Sequence, residues 1–205
     1  MLQIEHMDKG YPERPLFVDF SATFEHGRYW LQGPNGSGKS TLLRCIAGLE
    51  AANRGRMLWQ GEQLTPAIMR AQIGISADAI EFPPFLSFAA ILRYWQHSYA
   101  DAHVDALVAG FALQNVQSQT WQHASVGQRK KLSLLLALSR PVPIVLLDEP
   151  FNGLDDAACE FLTTTLSTHT ADLTLVVSHQ HHPLFDTMTP LQLSSSGLCT
   201  PSFAG

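Results

Sequence analysis

Apolar residues along the first half of this chain fall in short runs of strand length rather than in long stretches. Leu2–Ile4, Leu16–Phe20, Arg28–Gln32, Arg56–Gln60 and Gln72–Ser76 each read as a strand bounded by glycine, proline or polar turns. Later segments repeat the pattern at Ile144–Asp148, Leu173–Ser178 and Leu191–Leu193. Helical spacing alternates with them. Lys39 through Leu49 sets Leu42, Leu43, Ile46 and Leu49 on one face, and Asp155–Thr168 does the same with Ala158, Phe161, Leu162, Thr165 and Leu166. Strands alternating with amphipathic helices predict a largely parallel α/β core.

The stretch between Ser76 and Ile144 has another texture, with helices predicted at Ser87–Tyr99, Ala102–Gln114 and Ser125–Ser139 and no strand. Pro83-Pro84 opens it and Pro141-Val142-Pro143 closes it, because proline opposes helix continuation at both ends. The expected organisation is one domain of 205 residues, with a core from 1–78 and 141–205 and a helical subdomain at 79–140 inserted between them.

Charge and composition remove several functions. A net charge of -5 with no lysine- or arginine-rich run opposes binding to nucleic acid or anionic lipid by charge. The longest apolar stretch, Leu132 to Leu138, is far below the roughly 18 residues of a membrane span. Any membrane role therefore needs a partner. The N-terminus has no basic region followed by an apolar signal core, and the three cysteines, Cys45, Cys159 and Cys199, are odd in number and widely spaced. A reduced cytosolic protein is expected. His179-Gln180-His181-His182 suggests metal, but no second cluster completes a ligand set.

The chemistry begins at Gly33-Pro34-Asn35-Gly36-Ser37-Gly38-Lys39-Ser40-Thr41, which has the full phosphate-binding pattern of a P-loop, placed after a strand and before a helix. Its glycines let backbone amides approach phosphate oxygens, and the following helix presents its positive end. Lys39 reaches the outer phosphates, Ser40 offers a hydroxyl to Mg²⁺, and Thr41 adds a phosphate contact. Downstream, Ile144-Val145-Leu146-Leu147 ends in Asp148 and Glu149, which puts two carboxylates at the active edge of a parallel sheet. Asp148 suits Mg²⁺, directly or through water. Glu149 suits the orientation or deprotonation of an attacking water.

Ala124-Ser125-Val126-Gly127-Gln128-Arg129 precedes that strand, and here the chain resembles the ATP-binding cassette family over essentially its whole length. Tyr11, the helical insertion, Leu147-Asp148-Glu149-Pro150, Asn152-Gly153-Leu154-Asp155 and His179 fall in the family's order. The resemblance implies a P-loop NTPase with a largely parallel central sheet and an N-terminal antiparallel β portion, and it implies ATP and Mg²⁺ as cofactors. It further implies that Ser125, Gly127 and Gln128 face ATP held by the P-loop of a second chain, that Asp155 couples the two sites, and that His179 contacts the terminal phosphate. Tyr11 is suited to stack on adenine, or is a turn residue.

Two departures stand out. Val126 occupies a position where the commonest signature has glycine, and Asp78 falls where the family places a glutamine that senses Mg²⁺ and water. Asp78 could ligate Mg²⁺ but cannot donate an amide hydrogen bond, and Glu81 is a second candidate. The resulting expectation is an ATPase subunit, catalytic through Glu149 and His179, that pairs as a homodimer or with a related subunit. It would drive an integral membrane permease from the cytoplasmic side, peripheral at the inner face of the cell membrane. Phe82-Pro83-Pro84-Phe85-Leu86 is a candidate docking surface for that partner, with core packing as the other reading. The competing expectations are a soluble ATP-driven switch in nucleic-acid repair or translation, and a regulatory module that binds ATP without hydrolysis. Length and Leu147-Asp148-Glu149-Pro150-Phe151 are similar to small export ATPases, including those of cytochrome c maturation; no cargo follows.

Overall fold

The computed structural model describes residues 1–12, 14–194 and 197–199; the Cys199 side chain, part of the cysteine argument above, lies outside the described residues. The chain starts with β1 (Leu2–Tyr11) and β2 (Arg14–Phe24), which pair antiparallel, followed by β3 (Gly27–Gln32) and helix α1 (Lys39–Ile46). β4 (Arg54–Trp59) and β5 (Glu62–Gln63) complete a four-stranded sheet of order β2-β1-β4-β5. One face of this sheet meets water, so its strands continue past the apolar runs Leu2–Ile4 and Leu16–Phe20 into polar residues.

Helix α2 (Pro66–Gln72) leads into β6 (Ile73–Ser76). The predicted strand at Gln72–Ser76 thus begins one residue later, and α2 was not anticipated. Its start signal is present in the chain, for Thr65 accepts a hydrogen bond from the Ile68 amide and Pro66 opens the first turn. Helices α3 (Phe88–Ser98), α4 (Asp105–Gly110) and α5 (Val126–Leu138) follow before β7 (Ile144–Asp148). The helix expected over Ala102–Gln114 is reduced to α4, because the chain turns at Ala112, φ +54°, and passes into a 3₁₀ turn at Gln114–Val116. Helix α6 (Asp156–Thr168), β8 (Leu173–Val177), β9 (Thr189–Ser194) and β10 (Gly197–Cys199) end the described chain.

The second sheet has the order β10-β9-β3-β8-β7-β6 and is parallel throughout except for the antiparallel β9–β10 pair. β7 and β8 are buried at all five positions, which explains why they are apolar but for Asp148 and Thr174. Alternate residues of β7 serve opposite faces. Ile144 and Leu146 pack with α1 and the antiparallel sheet, through Leu42, Leu43, Phe17 and Phe24. Val145 and Leu147 pack with α5 and α6, through Leu134, Leu135 and Leu162. The docking candidate is split between its two readings: Phe82 and Leu86 pack against the helical cluster, while Phe85 is exposed. No described helix is long and apolar enough to cross a membrane.

Candidate functional site

β3 lies in the middle of the parallel sheet, so the loop that leaves its carboxyl end faces the crevice where such sheets bind ligands. Gly38 caps α1 with φ +98°, a left-handed conformation, and a Cβ there would lie 2.7 Å from the Phe17 ring. Both the conformation and the contact demand glycine. Immediately after it, Lys39 is buried and its Nζ donates to the carbonyls of Gly33 (2.8 Å) and Pro34 (3.0 Å). Burial lowers the Lys39 pKa, opposed by the charges of Glu149 and Asp148. Arg14, which sequence reasoning missed, donates to the Gly36 carbonyl at 2.8 Å and lines the outer side of the loop.

β7 brings the carboxylates to the same edge. The Ser40 hydroxyl donates to Asp148 Oδ1 at 3.0 Å, so the two candidate Mg²⁺ ligands already meet. Burial raises the Asp148 pKa, although the Ser40 hydrogen bond and the Lys130 charge pull it down. A hard oxygen pair with a poorly solvated carboxylate fits a divalent cation. No group of three or more His, Cys, Asp or Glu side chains gathers for a metal among the described residues, so phosphates and water would supply the other ligands.

Glu149 follows with φ +46°, a conformation that costs a non-glycine residue about 1–3 kcal/mol. Its neighbours fix it there. The Glu149 amide donates to the Val177 carbonyl at 2.8 Å, the His179 amide donates to Glu149 Oε1 at 2.9 Å, and the Ser178 hydroxyl donates to Oε2 at 3.2 Å. The His179 imidazole lies 3.7 Å from the same carboxylate. Lys39, Ser40, Asp148, Glu149 and His179 therefore form one cluster. Ser178 gave no signal in the sequence beyond its place as the last residue of an apolar run.

The signature residues gather elsewhere. Ser125 caps α5 reciprocally with Gln128: Ser125 Oγ accepts from the Gln128 amide, and the Gln128 side chain accepts from the Ser125 amide at 2.8 Å. Asp155 caps α6 through the Ala158 amide (2.9 Å) and pairs with Lys131 at 2.6 Å. That hydrogen bond to Lys131, then the Ala158 amide, lowers the Asp155 pKa. Ser125, Gly127, Gln128, Lys131, Gly153 and Asp155 line a cavity of about 560 Å³ to which no P-loop residue contributes. Val126 is 77% exposed beside it, so its side chain meets no obstruction within the chain.

Tyr11 is 46% exposed at the end of β1, and its hydroxyl donates to Glu50 Oε1 at 2.8 Å. Lys9 and Arg44 also hold Glu50, each at 3.0 Å. Burial would raise the Glu50 pKa, but the hydrogen bonds from Lys9, Tyr11 and Arg44 prevail and pull it down to about 2. Asp78 does not stand free beside Ser40. Its Oδ1 accepts from Lys130 Nζ at 2.6 Å, and Lys130 also donates to the Asp148 carbonyl at 3.0 Å. Glu81 accepts from the Trp121 indole. Lys130 carries no signal of its own in the sequence because it reads as one more cation in Arg129-Lys130-Lys131 at the start of a helix.

The model of the ABC transporter family matches residues 17–152. A relative from Paramagnetospirillum magneticum, the cytochrome c biogenesis ATP-binding export protein CcmA, is 37% identical over 164 residues, which are 76% of this chain and 75% of the relative. The ribosome protection protein VmlR of Bacillus subtilis is 32% identical over 200 residues, 96% of this chain but 35% of that protein. A solved dimeric bacterial ABC transporter cassette superposes with a TM-score of 0.79 at 19% identity, covering 97% of this chain and 96% of that one, which establishes the shared fold.

Proposed function

The chain belongs to the ABC transporter family, as an ATP-binding subunit, and from that premise we propose that it hydrolyses ATP between two head-to-tail copies and so powers a membrane-spanning partner. The observation that carries this reading is the convergence at one sheet edge of Lys39, the Ser40–Asp148 pair at 3.0 Å and a Glu149 carboxylate anchored by Ser178 and His179. In this arrangement the P-loop amides and Lys39 hold the phosphates, and Glu149 orients and deprotonates water. Ser40 and Asp148 would hold Mg²⁺, which supplies charge neutralisation at the outer phosphates when bound. Tyr11 stacks on the adenine, and His179 contacts the terminal phosphate.

That no P-loop residue lines the Ser125 cavity supports a site completed in trans. Ser125, Gly127 and Gln128 then meet the partner's nucleotide, and Asp155 couples the paired sites. The division into a core of 1–78 and 141–205 and a helical subdomain of 79–140 is part of the same proposal, as are the cytoplasmic location and the permease as partner. The CcmA relative, named an export protein, favours export as the direction. The likeness to VmlR over nearly all of this chain favours a second reading, an ATP-driven switch acting on the translation machinery.

Phosphate release measured on the purified chain tests hydrolysis. Wild type is expected to turn over ATP, and Glu149→Gln to bind ATP without turnover and persist as a closed dimer. Full turnover in that variant would remove Glu149 from its role. Co-purification of an integral membrane protein from native membranes distinguishes the transport reading from the translational one.

A further inference from the structure

Lys130 lies two residues beyond Gln128 on α5, and its side chain retains only 4% of its exposure. Its ammonium joins three segments that the sequence keeps 52 and 18 residues apart: α5 itself, Asp78 in the segment after β6, and the carbonyl of Asp148 at the end of β7. That carbonyl belongs to the peptide linking Asp148 to Glu149. The other side of the same peptide is fixed, because the Glu149 amide donates to Val177. Lys130 thus holds the peptide that aims Glu149, a non-glycine residue held at φ +46°.

We propose that Lys130 is a positioning residue for hydrolysis and that the Asp78–Lys130 pair relays the placement of the segment after β6 to the Asp148–Glu149 peptide. The inference rests on the hydrolysis proposed above. It assigns Asp78 to Lys130 rather than to a metal ion: a charge pair here does the tethering, and its other end reaches the signature helix. Asp78 is 76% exposed on the segment after β6 whereas Lys130 is buried, so loss of the Asp78 charge leaves a buried ammonium short of its partner and costs stability as well as position. The conservative Asp78→Glu variant, which keeps the charge, separates the relay from that loss of stability.

The test measures phosphate release, equilibrium ATP binding and Tm for wild type, Asp78→Asn, Asp78→Glu and Lys130→Met. Lys130→Met is expected to lower kcat about 10- to 100-fold, with ATP affinity within about threefold of wild type. Asp78→Asn, assayed well below its Tm, is expected to lower kcat about 3- to 10-fold with ATP affinity within about threefold of wild type, and Asp78→Glu to restore most of the kcat. Should Lys130→Met fail to fold, the two Asp78 variants decide alone. Full kcat in Asp78→Asn, or a loss of ATP affinity that matches the loss of kcat, overturns the proposal. A wild-type chain that binds ATP and releases no phosphate overturns the hydrolysis reading and this inference with it, whereas active wild type with Asp78→Asn at the same kcat overturns the inference alone.

Discussion

Gly127→Ala tests how closely the signature helix and the loop before α6 approach each other. A Cβ at Gly127 would lie 2.5 Å from the Gly153 carbonyl oxygen, a backbone atom that cannot rotate away. Alanine gains about 0.5–1 kcal/mol over glycine in a helix, less in a first turn, while relieving such overpacking costs about 1–3 kcal/mol. The clash wins, leaving a net loss of about 0.5–2 kcal/mol, or a fall in Tm of about 1–8 °C for a chain of this length. Relief requires the Gly153–Asp155 loop to retreat by about half an ångström, which moves Asp155 relative to Ser125 at the rim of their shared cavity. Turnover should then fall about 10-fold or more, while ATP binding at the P-loop, which does not line that cavity, stays within about twofold. Thermal melting, phosphate release and equilibrium binding read the three quantities. A variant with wild-type Tm and full turnover would refute the close approach and the reasoning built on it.

The other predictions concern separate parts of the site. Lys39→Ala removes the cation reserved for the outer phosphates and should weaken ATP binding about 100-fold by calorimetry; unchanged affinity would contradict the P-loop assignment. Ser125→Arg should leave ATP binding by the single chain intact and abolish ATP-dependent dimerisation on a sizing column, and dimers formed as before would count against a site completed in trans. Because the Glu50 pKa is depressed from its ordinary 4.5 to about 2, its network stabilises the fold above pH 4.5 and loses that contribution as pH falls toward 2. Between those limits Tm should fall more steeply in wild type than in Glu50→Gln, and parallel slopes would remove the network from the stability of the domain.

Much of the fold was legible because the buried parallel strands carry apolar runs that polar neighbours interrupt. Ile144–Asp148 coincides with β7, and Leu173–Ser178 differs from β8 by one residue, since these strands, buried on both faces, are apolar but for Asp148 and Thr174. The antiparallel sheet was under-read, because Glu5, Asp8 and Asp19 alternate with core residues and interrupt the runs. Ala102–Gln114 was over-read, since periodicity does not register that Gly110 and Ala112 end a helix after two turns. Motif residues were identified by type and order, and Ser40, Asp148, Glu149 and His179 do converge in space. Lys130, Ser178 and Arg14 were not legible. Each acts through contacts to backbone atoms or carboxylates far along the chain, and such contacts leave no local pattern.

The central claim is that a nucleotide held by one chain's P-loop is completed by another chain's Ser125 surface, and mixing two defective chains tests it most directly. In a Glu149→Gln background, Lys39→Ala and Ser125→Arg should each fail to form ATP-dependent dimers alone. Mixed, they should yield a dimer holding a single ATP, since the Ser125→Arg chain contributes an intact P-loop and the Lys39→Ala chain an intact signature surface. No ATP-bound dimer in the mixture would contradict the account.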